Sequence, residues 1–90
     1  MYALIVHYKT KVGGNGHWGF NTECYVYKDM ALAIDRGKDA IIDHRLYSDE
    51  DGLRIAFEFI QNTGRYDFAS AFVEVVEVLN NDQSIFKQKE

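Results

Sequence analysis

Ninety residues, 47% of them hydrophobic, make one domain with a packed core and leave no room for a second. A formal net charge of −4 opposes non-specific nucleic-acid binding, and the lone Cys24 excludes an internal disulfide or a multi-cysteine zinc site. The absence of proline removes any rigid Pro-rich linker or SH3-type ligand segment.

The chain opens MYALIVHYKTK, in which the apolar run before His7 is too short for a signal peptide or a membrane span. With no disulfide chemistry available, a soluble cytoplasmic protein is expected. Tyr2 to Lys9 starts apolar on both faces and turns polar at His7 and Lys9, which reads as a strand buried at its start and emerging at its end. Trp18 to Tyr27 is the second strand. Trp18, Phe20, Thr22, Cys24 and Val26 share one face, and Gly19, Asn21, Glu23, Tyr25 and Tyr27 share the other. The first set is the more apolar and is expected to face the core, leaving Tyr25 and Tyr27 on an open sheet face.

Between the two runs lies KVGGNGHWGF, where clustered Gly and Asn supply the positive-φ residues of a turn. A hairpin over residues 2–27 follows, with a connection of roughly eight residues and an exposed tip.

From Asp29 the period becomes helical. Met30, Ala33, Ile34, Gly37, Ile41 and His44 fall on one stripe, with Asp29 as N-cap. Gly37 inside that helix costs about 1 kcal/mol against alanine, which points to another backbone or side chain close by. Ser48-Asp49-Glu50-Asp51 spells the start of a second helix, which runs to about Asn62 and stops at Gly64. Its apolar arc (Leu53, Ile55, Ala56, Phe57, Phe59, Ile60) is wide, implying deep burial or a face kept for a partner.

FASAFVEVVEVL carries helical spacing of polar residues but four valines, and the valines favour a strand over a helix for residues 68–79. The expected architecture is α+β: a small antiparallel-rich sheet of a β-hairpin plus a C-terminal strand, packed against two helices in the order β-β-α-α-β. Residues 1–82 form the domain and residues 83–90 a polar, frayed tail.

The charge is unevenly spread: residues 1–28 sum to +2, residues 29–82 to −7 and residues 83–90 to +1. The glycine run is no phosphate loop, because no Gly-Lys-Ser/Thr closes it and no helix follows. It suits a contact loop, with Lys11, His17 and Trp18 presented at the hairpin end. Lys9 and Lys11 with Trp18, Tyr25 and Tyr27 imitate a single-strand stacking platform, although so few cations make nucleic acid an unfavoured partner.

Asp35, Asp39 and Asp43 recur at i, i+4 and i+8 as an acidic column on the first helix. Asp35–Lys38 and Arg36–Asp39 are expected to soften its repulsion. The column is bait for a basic partner surface or, with Asp39, Asp43 and His44, the alternative of a metal-dependent enzyme. Cys24 with His7 or His17 is the only thiol–imidazole option. A hairpin centred near Gly13–Gly14 sets Cys24 opposite Ala3 and His7 opposite Phe20, about 13 Å apart along the strands, so Cys24 reads as a buried core residue.

No motif is specific enough to name a family. The expected object is a non-catalytic binding module without cofactor or metal. It acts on another protein as a regulator or inhibitor, of the accessory kind common in viruses and mobile elements, and forms a homodimer. The expected partner-binding residues are Lys11, His17 and Trp18 at the tip and Asp35, Asp39 and Asp43 on the helix.

Overall fold

A computed structural model describes residues 1–13 and 16–78. Strands β1 (Tyr2–Val12) and β2 (His17–Tyr27) are followed by helices α1 (Met30–Asp43) and α2 (Glu50–Thr63), then β3 (Arg65–Phe68) and β4 (Ala71–Glu77). The four strands make one antiparallel sheet in the order β2-β1-β4-β3. Both helices cover one face. The α+β expectation holds, with β3 as an added short strand, and the valine-rich segment is strand, as β-branched side chains favour. The frayed tail expected at 83–90 and the last residues of the 1–82 domain lie outside the described residues.

The core forms between the inner sheet face and the helices. Leu4 and Val6 of β1, Val73 of β4, Ile41 of α1 and Ile60 of α2 are its largest fully buried side chains. Tyr66 of β3 donates its hydroxyl to the Leu46 carbonyl (2.8 Å), tying the sheet edge to the loop between the helices. Gly37 lies where α1 meets the sheet: a Cβ there would stand 3.3 Å from Val73 and 3.4 Å from Leu4. The close neighbour expected from its helical position is present.

Two features of the hairpin correct the sequence reading. The strands extend until Val12 pairs with His17, so the connection is four residues, not eight. Gly13 and Gly16 take φ of 72° and 78°, which only glycine adopts cheaply, and so close it tightly. This shifts the register by two residues: Cys24 pairs with Ile5, and Thr22 with His7.

The faces of β2 are also reversed. Leu4 and Val6 take the helix side, and directly paired residues share a face, so Tyr25 and Glu23 go inward with them. Trp18, Phe20, Thr22, Cys24 and Val26 therefore lie on the open face. The pleat couples a whole strand, and the central strand's pattern prevails over that of an edge strand the helices barely reach. Cys24 is exposed, not buried.

The helix ends explain where each helix stops. Asp29 precedes α1 without a side-chain cap bond. The cap of α2 is Asp49, one residue after the expected Ser48, and its carboxylate accepts from the Gly52 amide at 2.8 Å. Gly64 ends α2 in the left-handed region (φ 77°).

After α1 the chain makes a full Schellman turn, with the Leu46 amide on Ile41 O and the Arg45 amide on Ile42 O. The left-handed residue there is Arg45 (φ 54°), and Ala69 repeats the strain in the β3–β4 turn (φ 54°). Arg45→Gly and Ala69→Gly are each expected to stabilise the fold by about 0.5–1 kcal/mol, because glycine sheds the Cβ penalty of that conformation. Thermal unfolding of the two variants and their double checks this; a fall in midpoint for either denies the left-handed assignment.

Candidate functional site

The open sheet face carries a connected row of rings, of which Phe20 is exposed and His7 and Phe72 are half-buried. His7 stacks on Phe20 (centroids 5.1 Å, planes 6° apart) and on Phe72 (5.2 Å, 23°). The Arg65 guanidinium sits over Phe72 at 4.5 Å. Phe20, His7, Phe72 and Arg65 thus form one stack across all four strands: His7 and Phe72 are directly paired, while Phe20 and Arg65 each lie diagonal to their neighbour, within reach of large side chains.

Two members of this stack, His7 and Arg65, are fixed by polar bonds. His7 Nδ1 is 2.8 Å from Thr22 Oγ1. Arg65 binds Asp67 through two nitrogens (2.8 and 2.9 Å) and Glu74 through a third (2.9 Å). Hydrogen bonding from Arg65 holds the Asp67 carboxyl below its ordinary value and raises the guanidinium's own.

Beyond Phe20 stands Trp18, 60% exposed, with the ammonium groups of Lys9 and Lys11 each 5.4 Å from its ring. Among the described residues neither lysine enters an ion pair. The arrangement offers apolar area, stackable ring faces and two available cations on one surface.

The opposite side of the hairpin is different in character. Between β2 and the C-terminal half of α1 runs a cleft of about 310 Å³, floored by Leu4 and Val6. Glu23 accepts from Tyr8 and Tyr25 hydroxyls, both at 2.8 Å, and Asn21 donates to Tyr8. Those two hydroxyl donors keep the Glu23 carboxyl below its usual range, and the Tyr25 phenol is raised by the same bond. His44 stacks on Tyr8 at 3.8 Å.

The residues expected to bind partners are therefore divided between two surfaces. Lys11 and Trp18 meet on the open face, directly paired. His17 pairs with Val12 and points to the other face, so the tip is not one surface. Asp39 and Asp43 line the cleft, whereas Asp35 does not. Asp39 pairs with Arg36 (3.2 Å) as expected. Lys38 turns instead to Gln61 (2.8 Å), so no Asp35–Lys38 pair forms.

Tyr25 and Tyr27 stand on the helix side, away from Lys9, Lys11 and Trp18, and the stacking platform drawn from sequence loses them. Asp39, Asp43 and His44 are not gathered as metal ligands, and no such group occurs among the described residues. The register brings Cys24 to a position diagonal to His7, about 7–8 Å away rather than 13 Å, but the imidazole is bonded to Thr22 and held between two phenyl rings. Sequence reasoning missed His7, Phe20, Phe72 and Arg65 as a set. Only Phe20 and His7 lie within one hairpin; the sequence carries no local signal for Phe72 and Arg65, which reach His7 through the pairing of β4 with β1 and of β3 with β4.

Comparison with protein-family models, curated proteins and solved structures returns no match for this chain. The fold and the site define a small α+β domain with one sheet face left open. Among the described residues no helix is long and apolar enough to cross a membrane.

Proposed function

We propose that the protein is a non-catalytic binding module that engages another protein through its open sheet face, in the manner of a regulator or inhibitor. One observation carries the reading: Trp18 and Phe20, 60% and 50% exposed, continue into a pre-stacked row of rings that needs no rearrangement to receive a partner. Rigid aromatic anchors of this kind dominate interface energies because little side-chain entropy is lost on contact. Lys9 and Lys11 beside Trp18 suit a partner with an acidic rim around an apolar centre.

Trp18→Ala and Phe20→Ala are each expected to weaken capture of the partner by about tenfold or more. The Asp35/Asp39/Asp43 alanine triple is expected to leave it within about twofold, since those carboxylates lie on the other side of the molecule. Quantitative pull-down followed by titration of the captured protein reads both. Binding that survives both aromatic changes and fails with the triple would move the interface to the helix.

A second reading is binding of single-stranded nucleic acid, favoured by two lysines bracketing an exposed indole on a ring-bearing sheet. Trp18 is the only tryptophan, so its fluorescence reports on this site alone. Quenching by an oligothymidylate at low salt that disappears steeply as salt rises supports this reading, and an unchanged signal removes it.

A further inference from the structure

The two edges of the sheet are unequal. The β3 edge is four residues long and carries Arg65 and Asp67, the kind of short, charged edge that resists further pairing. The β2 edge is eleven residues long, without proline or lysine, and its register with β1 runs unbroken. Its single charge, Glu23, faces the helix side and is bonded there by Tyr8 and Tyr25.

The direction of each β2 backbone group follows from the ladder. Val75 N–H donates to Gly64 O and Val78 N–H to Met1 O, which fixes the alternation on both sides of β4. Carried across the registers, even-numbered residues of β1 bond to β2, and their β2 partners are odd-numbered. The amides and carbonyls of Trp18, Phe20, Thr22, Cys24 and Val26 therefore point away from β1, along an edge that no strand among the described residues pairs with.

We propose that two copies of the chain join through β2, antiparallel, about a two-fold axis at Thr22. A continuous sheet requires facing residues to share a face, so the axis must pass through a residue. Centring on Thr22 alone uses the whole strand. It sets Trp18 against Val26 of the second copy, Phe20 against Cys24, and Thr22 against Thr22, on the open face. On the helix side Tyr25 meets Gly19 and Glu23 meets Asn21. All five outward residues then bond, giving about ten new backbone hydrogen bonds.

Aromatic–aliphatic cross-strand pairs and an aromatic ring over glycine are favourable, and no like charges face each other. A shift of the axis to Glu23 opposes two carboxylates. A shift to Cys24 shortens the overlap. The result is an eight-stranded sheet with a doubled open face, and it stands whatever that face binds.

Sedimentation equilibrium of the full chain tests this, with Thr22 as the lever because it is exposed and self-facing. The unmodified protein and Thr22→Val are expected to dimerise at accessible concentrations. Thr22→Lys and Thr22→Glu are each expected to raise the dissociation constant about tenfold, and an equimolar mixture of the two to recover the dimer. Circular dichroism and urea midpoints of both charged variants, matching the parent at concentrations where the parent is monomeric, exclude unfolding as the cause. A parent that stays monomeric to about 1 mM overturns the proposal. So does a dimer that both charged variants leave intact, or a mixture that fails to recover it.

Discussion

Replacing Ile60 with alanine is expected to destabilise the domain by about 3 kcal/mol, within the range found for large-to-small changes at sealed core sites. Ile60 is fully buried on α2 and belongs to the cluster that joins both helices to the sheet. Its Cγ1 lies 3.5 Å from where a Cβ on Gly37 would stand, so the cavity would open at the junction of α1, α2 and the sheet. That site cannot collapse without moving a helix. A chain of this length has a total stability of roughly 5–13 kcal/mol, so the loss would be about a quarter to three-fifths of it. Urea titration is expected to show a lower midpoint at unchanged slope, and thermal unfolding a fall of about 12–24 °C. Ile55→Ala on the same helix is the matched control: Ile55 is 44% exposed, and its loss is expected to cost under about 1 kcal/mol. Equal costs at the two positions would mean that the buried side of α2 has been misassigned.

The same helix shows why sequence could place elements better than faces. Period and stop signals located α2 within a residue, because Asp49 and Gly64 act locally, through one cap bond and one left-handed turn. Which side of the arc is buried depends on where the sheet lies. Ala56 and Ile60 go inward, while Ile55 and Phe59 remain exposed.

The hairpin repeats the lesson with larger consequences. Its glycines announced the turn, but the length of the turn sets the register, and the register decides which side chains meet. Two residues of slip turned Cys24–Ala3 into Cys24–Ile5 and set Thr22 beside His7. β2 taken alone is more apolar on the Trp18 side. Only its pairing with Leu4 and Val6 shows that this side is the one left open. For the candidate site, Lys11 and Trp18 were legible because they are neighbours across one hairpin. Phe72 and Arg65 join them only through β4 and β3, far later in the chain, a non-local pairing that no periodicity encodes.

Gly37 is expected to reverse sign with side-chain size, and this separates helix propensity from packing at one position. Alanine gains about 1 kcal/mol of helix propensity over glycine. Its Cβ would meet Val73, Leu4 and Ile60 at 3.3, 3.4 and 3.5 Å, contacts that a few tenths of an ångström of side-chain movement relieve. Gly37→Ala should therefore stay within about 1 kcal/mol of the parent. Leucine adds three further carbons to the same place, between side chains that are fully or nearly fully buried. Overpacking of this kind costs about 1–3 kcal/mol, and more where the surroundings cannot yield. Here a helix, the central strand and the second helix converge, so Gly37→Leu is expected at the upper end, near 3 kcal/mol. The consequence reaches function, because α1 forms one wall of the cleft above Leu4 and Val6 while the open face lies on the far side of the sheet. In Gly37→Leu, Trp18 fluorescence should keep its parental position in the folded state even as the urea midpoint falls. A leucine variant as stable as the alanine one would mean that α1 stands further from the sheet than these distances describe.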